Sequence, residues 1–160
     1  MDFDLQNLKR VMETNIKFAQ NEASLNQIRT HLLSCDQTFY QELSTKTNIV
    51  EYSKRIFDHS VRFEAWSNKK LVGLVAAYFN DTVSQFGYIT NVSVSSGYNG
   101  KGIASQLLAT CINYGKQHNF KQIGLEVSKN NLGGLRLYEK HSFSFANETD
   151  TNFKMKLDLS

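Results

Sequence analysis

The 160-residue chain is 41% hydrophobic and 21% charged, with a net charge of +3; we read residues 1–160 as a single globular domain with its own core. The charge gathers into no basic stripe, which excludes a nucleic-acid partner but suits a small anionic ligand. No apolar run approaches the roughly 18 residues of a membrane helix, and the start MDFDLQNLKR has no apolar signal core, so we expect a cytoplasmic protein with no membrane partner.

In chain order, residues 16–19 form a first short strand. From 22 to 33, Leu25, Ile28, Leu32 and Leu33 sit at helical spacing, and 49–59 forms a second helix with Tyr52 and Ile56 four apart. The period then changes to two. In VRFEAW, residues 61–66, Val61, Phe63 and Ala65 alternate with Arg62, Glu64 and Trp66. LVGLVAAYF, 71–79, is continuously apolar and reads as a central strand, and FGYITNVSV, 86–94, follows after the turn NDTVSQ. Short connections make these three strands an antiparallel meander.

A helix over 102–117 carries the apolar stripe Ile103, Leu107, Leu108, Cys111 and Ile112. Cys111 is thereby expected as a buried free thiol, and two distant cysteines, Cys35 and Cys111, build no disulfide framework. KQIGLEVS, 121–128, is a strand. NNLGGLRLYEKH, 130–141, is a short helix despite Gly133 and Gly134. A hairpin closes the chain, with Phe143 and Phe145 on one face and Phe153, Met155, Leu157 and Leu159 alternating with polar residues. The unit from 86 to 128 has the length of a crossover, which makes its two strands parallel. The sum is an α+β fold, a mixed sheet with helices on both faces.

The segment SSGYNGKGIASQLL, 95–108, places three glycines just before a helix. Glycines let a ligand approach backbone, and a helix start attracts anions. The segment lacks the G-x-x-x-x-G-K-[ST] spacing of a P-loop, and a dinucleotide fingerprint fails at Ser105 and in the preceding meander. Two readings remain: a pyrophosphate cradle, with Lys101 adding charge and Ser105 a hydroxyl, or a turn that merely caps the helix.

TNVSVSSGYNGKGIASQLL and, one strand later, LEVSKNNLGGLRLYEKHSF together resemble the GNAT superfamily of acetyl-CoA-dependent N-acetyltransferases. The family's [QR]-x-x-G-x-[GA] is matched by Asn99, Gly100, Lys101, Gly102, Ile103 and Ala104. Its second block is matched by Asn131, Gly134, Leu137, Tyr138, Lys140 and Phe143. Asn99 replaces the usual Gln or Arg, Gly134 a common alanine, and Ser142 a glycine. The resemblance is densest over 88–143.

The resemblance implies a mostly antiparallel sheet of six or seven strands, splayed between the fourth and fifth, flanked by about four helices. It implies acetyl-CoA as donor, held by Asn91, Val92, Ser93 and Val94, by Asn99 to Ser105, by Asn131 and by Tyr138. Tyr138 stands at the family's tyrosine position and is the expected acid for the departing thiolate. For the base, Glu126 stands twelve residues before Tyr138, as in ribosomal-protein N-terminal acetyltransferases of the superfamily. Glu64 and a chain of waters are alternatives, since Thr90 occupies a position where relatives often carry glutamate. The acceptor wall would be the two N-terminal helices and their joining loop, with Phe39, Tyr40 and Trp66 as liners. That loop has no strong acidic cluster, which disfavours a polyamine. A primary amine of a small molecule, an amino sugar above all, is the expected acceptor. The alternatives are a protein N-terminus or lysine, or a non-catalytic acyl-CoA-binding module. No metal is expected, and the chain would be a monomer or homodimer.

Overall fold

A computed structural model describes residues 15–39 and 48–160, with side chains described from 15 to 35 and from 48 onward. Its seven strands are β1 (Lys17–Gln20), β2 (Val61–Ser67), β3 (Lys70–Asp81), β4 (Phe86–Val94), β5 (Gln122–Ser128), β6 (Ser144–Glu148) and β7 (Asn152–Asp158). They form one sheet in the order β1-β2-β3-β4-β5-β7-β6. The helices described are α1 (Leu25–Phe39), α2 (Ile49–His59), α3 (Ile103–Gln117) and α4 (Leu132–Lys140).

Continuous apolarity makes β3 the centre of the sheet, because a strand with helices on both faces has no polar side to alternate. On one face Val72, Val75 and Ala77 pack with Ile103, Leu107, Leu108 and Cys111 of α3 and Tyr138 of α4. On the other face Leu71, Leu74 and Ala76 pack with Ile28 and Leu32 of α1 and Tyr52 and Ile56 of α2. The meander β2–β3–β4 is antiparallel and the crossover through α3 makes β4 and β5 parallel, as expected. Cys111 is fully buried and free.

Helix α1 departs from its expected bounds at both ends. Ser24 and Gln27 form a reciprocal cap: Ser24 N donates to Gln27 Oε1 at 2.9 Å, and Gln27 N to Ser24 Oγ at 3.2 Å. This box starts the helix three residues later than the apolar spacing implied. At the far end the helix continues through Cys35, which extends the buried row of Ile28 and Leu32. The hairpin also differs. Phe143 lies before β6, is 3% exposed and meets Tyr138 edge-on, whereas Phe145 is 55% exposed and rests on Phe153. Phe143 N donates to the Tyr138 carbonyl at 2.9 Å, which holds Phe143 to the end of α4, while Phe145 lies within β6, so the two share no face.

Candidate active site

Pairing sets the site. Strand β4 runs beside β5 from Phe86↔Gln122 to Ile89↔Leu125, and there the ladder ends, although both strands continue. The next positions would be Thr90 and Glu126. On its other edge β4 stays paired with β3, with a bulge: Ala76 faces Asn91 and Ala77 faces Ile89, so Thr90 is the extra residue. The Tyr52 hydroxyl of α2 donates to the Thr90 carbonyl at 2.7 Å and lies 3.0 Å from its Oγ1. The outer half of β4 thus has no pairing with β5.

On the α3 and α4 side, this splay opens into a groove of about 430 Å³. Its walls are Val92, Ser93 and Val94 of β4, the loop Tyr98, Asn99, Gly100 and Gly102, the first turn of α3 through Ser105, and Asn131, Gly133, Gly134, Leu137 and Tyr138 of α4. Gly100 and Gly102 have φ of +75° and +78°, a region costly for residues with a Cβ. Gly102 is the N-cap of α3, where no side chain caps the helix and no acidic residue occupies the first turn. The leading N–H groups of α3 therefore face a groove that suits an anion. Ser105 Oγ lies 2.8 Å from His141 Nε2, tying α3 to the end of α4. Burial, assisted by Lys140, holds the His141 imidazole below its ordinary range.

At α4, Asn131 is the N-cap and its Oδ1 accepts from Gly134 N at 2.9 Å. A Cβ on Gly134 would stand 2.7 Å from Asn131 Nδ2, so glycine at this position leaves the Asn131 amide its place. Tyr138 is 7% exposed and lines the groove one turn further on.

Glu126 is not in that groove. It is exposed between buried Leu125 and Val127, which face α3, so its side chain projects to the opposite face of the sheet. There Tyr88 feels it: burial raises the Tyr88 phenol, and the Glu126 charge and Tyr78 push it further in the same direction. The splay therefore has two mouths, Tyr138 in one and Glu126 at the other.

The remaining predicted residues fall elsewhere. Glu64 is fully buried, and its carboxylate accepts from the N–H groups of Glu22 and Ala23 and pairs with Arg62 Nε at 3.5 Å. It anchors the entry to α1 and is correspondingly unsuited to be a base. Trp66 packs on the α1–α2 core from β2, two strands from the splay. Lys101 is exposed on the loop. Asn91 turns its side chain toward Ser93 rather than to the groove. Tyr40 and the Phe39 side chain lie outside the described residues. Several residues of the surroundings were not among the expected site residues, including Gly133, Gly134 and Leu137 of the groove. Tyr98 lies inside the glycine segment, where its spacing could have revealed it. His31 comes from α1, with no local signal toward β4. Among the described residues no cluster of metal-binding side chains occurs, and no helix is long and apolar enough to cross a membrane.

Similarity to known proteins agrees with this geometry. The chain is 31% identical over 105 residues to N-alpha-acetyltransferase MAK3 of Arabidopsis thaliana, covering 64% of this chain and 55% of that protein. It is 28% identical over 83 residues to a spermine/spermidine N(1)-acetyltransferase of Bacillus subtilis, covering 51% and 55%. The chain thus spans about half the length of the curated relatives it matches. Among solved structures, the ribosomal-protein-S18-alanine N-acetyltransferase of Escherichia coli shares the fold with a TM-score of 0.72 at 17% identity, over 91% of this chain and 94% of that one. The PaiA N-acetyltransferase of Thermoplasma acidophilum, solved in complex with coenzyme A, gives 0.70 at 15%, over 89% and 99%. Residues 25–143 match the Acetyltransferase (GNAT) family, and with the splayed sheet and glycine-capped α3 in place, the chain belongs to that family.

Proposed function

We propose that this protein transfers an acetyl group from acetyl-CoA to a primary amine by direct attack within a ternary complex. The observation that carries the reading is the end of the β4–β5 ladder at Ile89 and Leu125, which leaves a two-mouthed gap with opposite chemistry on its two sides. The donor enters the α3–α4 mouth. Its pyrophosphate rests on the leading N–H groups of α3, and its pantetheine arm runs along β4 beyond the end of the β4–β5 ladder as an added strand would. The acetyl carbonyl, drawn toward a β4 N–H, gains a donor for the oxyanion that forms on attack.

The amine enters from the other face. An ammonium is protonated at neutral pH and must lose a proton before it can attack. Glu126, one position beyond the last paired residue, takes that proton directly or through water. Tyr138 gives its phenol proton to the departing CoA sulfur and is restored by the second proton, which the nitrogen sheds as the amide forms. The ammonium meets a carboxylate beside the rings of Tyr88 and Tyr78, a combination that favours a cation. We assign the acceptor to small molecules with a primary amine, amino sugars included. A protein N-terminus is the second reading, favoured by the 31% identity to an N-alpha-acetyltransferase.

A screen of acetyl-CoA turnover, read by thiol release, over amino sugars, polyamines and N-terminal peptides tests both. Turnover with one amine class supports the activity and names the acceptor. Tight acetyl-CoA binding with no turnover on any amine leaves an acyl-CoA-binding module instead.

A further inference from the structure

The outer half of β4 and the residue just past it present Asn91, Ser93 and Ser95 on one side, all buried. Apolar residues would be expected where a strand packs on a helix. Into this row α1 inserts His31, which is 2% exposed. Its Nε2 lies 2.8 Å from Ser93 Oγ, and Ser95 Oγ lies 3.3 Å from its Nδ1. Ser93 Oγ donates in turn to Asn91 Oδ1 at 2.7 Å.

With Ser93 Oγ donating to Asn91 Oδ1, its contact with His31 Nε2 is met by a ring proton on that nitrogen. Ser95 Oγ and the backbone of Leu71 and Ser93 are the ring's other partners. Burial keeps the imidazole neutral, helped by the Lys70 charge on β3 and opposed by the Leu71 and Ser93 backbone. The other titratable neighbour is Cys35, one turn along α1, with Sγ 3.7 Å from Nε2 and its thiol raised by burial. A base held neutral in this way is a poor acceptor for an ammonium proton, so proton removal is not the task of the cluster.

The position of the chain of bonds suggests another task. Beyond Ile89, β4 has a strand neighbour on the β3 edge and not on the β5 edge. Tyr52 holds the start of that half at Thr90, and His31 grips its middle and end through Ser93 and Ser95. Ser93 is also a groove residue. We infer that His31 is a positioning residue, a neutral strut from α1 that fixes the acetyl-binding half of β4 against Tyr138 across the groove. Its consequence for turnover rests on the acetyl transfer proposed above; its effect on β4 does not.

The test compares His31→Leu, which removes both nitrogens at similar volume, with His31→Gln, which keeps a donor near Nε2. Amide hydrogen exchange is followed by NMR at neutral pH. The Leu variant should speed exchange at residues 91–95 by about tenfold relative to β2 and β7 amides. Its kcat should fall about tenfold while KM for the amine holds. The Gln variant should recover most of both. Should the Leu variant not fold, Ser93→Ala breaks the same chain of bonds and should give the same local pattern. Unchanged exchange at 91–95, or an increase spread evenly over the sheet, overturns the positioning role. A wild-type protein that turns over no amine counts against the proposed activity alone, because the exchange pattern still decides the strut.

Discussion

The donor mouth of the splay is assembled from two short stretches, 92–105 and 131–138, and largely from backbone. The opposite mouth is assembled from Glu126, Tyr88, Tyr78 and the helices behind β4, with Tyr52 and His31 reaching residues 38 and 62 positions away in the chain. The first can be built by a strand, a glycine turn and a helix start in immediate succession. The second needs a finished sheet with helices laid across it. Under the proposed function, donor recognition is a local property of this chain and acceptor recognition a global one, and substitutions should separate the two.

The largest effect should come from Gly102→Glu. It places a carboxylate and a side chain at a left-handed position beside the phosphates, and acetyl-CoA affinity should fall by roughly a hundredfold or more. Calorimetry that finds binding retained would remove the pyrophosphate from the α3 N-terminus. Glu126→Gln should lower kcat by about a hundredfold, flatten the acidic limb of the pH–rate profile and leave acetyl-CoA affinity alone. An unchanged profile would hand the proton to water. Tyr138→Phe should cut turnover about tenfold with donor affinity unchanged; equal turnover would leave the phenol as packing only. These three variants place one residue in each mouth and one at the reacting sulfur, so their binding and turnover effects should not mix.

A different kind of effect concerns stability. Burial holds the His31 imidazole at about 4, below its ordinary 6.5. Between those values the unfolded chain binds a proton that the folded chain refuses, so stability falls as pH drops through that window. At about 1.4 kcal/mol per pH unit, the loss is about 3 kcal/mol once pH is below the folded value. Urea unfolding at a series of pH values should show this slope in the wild type and lack it in His31→Leu. The smallest effect should be that of Gly134→Ala. Alanine gains about 1 kcal/mol in helix propensity, but its Cβ displaces the Asn131 amide. Acetyl-CoA KM should rise about threefold with the melting temperature held or raised; an unchanged KM would mean that Asn131 is only a helix cap.

Much of the fold was legible because period and punctuation agree. The bounds of α2 and β4 follow directly from the spacing of their apolar residues, and the continuous run 71–79 marks β3 as central. Where the pattern misled, a specific contact intervened. The Ser24–Gln27 box delays α1, and the bond from Phe143 N to the Tyr138 carbonyl keeps Phe143 with α4 and apart from Phe145. Glu64 and Trp66 had suitable chemistry, but chemistry does not state address: one carboxylate anchors a helix entry and one indole joins a core.

By itself the sequence determined the order of elements, the parallel crossover and the glycine-capped helix start, because each depends on residues adjacent in the chain. Tertiary structure alone decided where the β4–β5 ladder stops, that Tyr138 and Glu126 face opposite mouths of the gap, and that a buried histidine stands behind the open strand. Those outcomes depend on which side chains meet across dozens of residues, and the free energy that selects them exists only once the sheet and its helices have closed together.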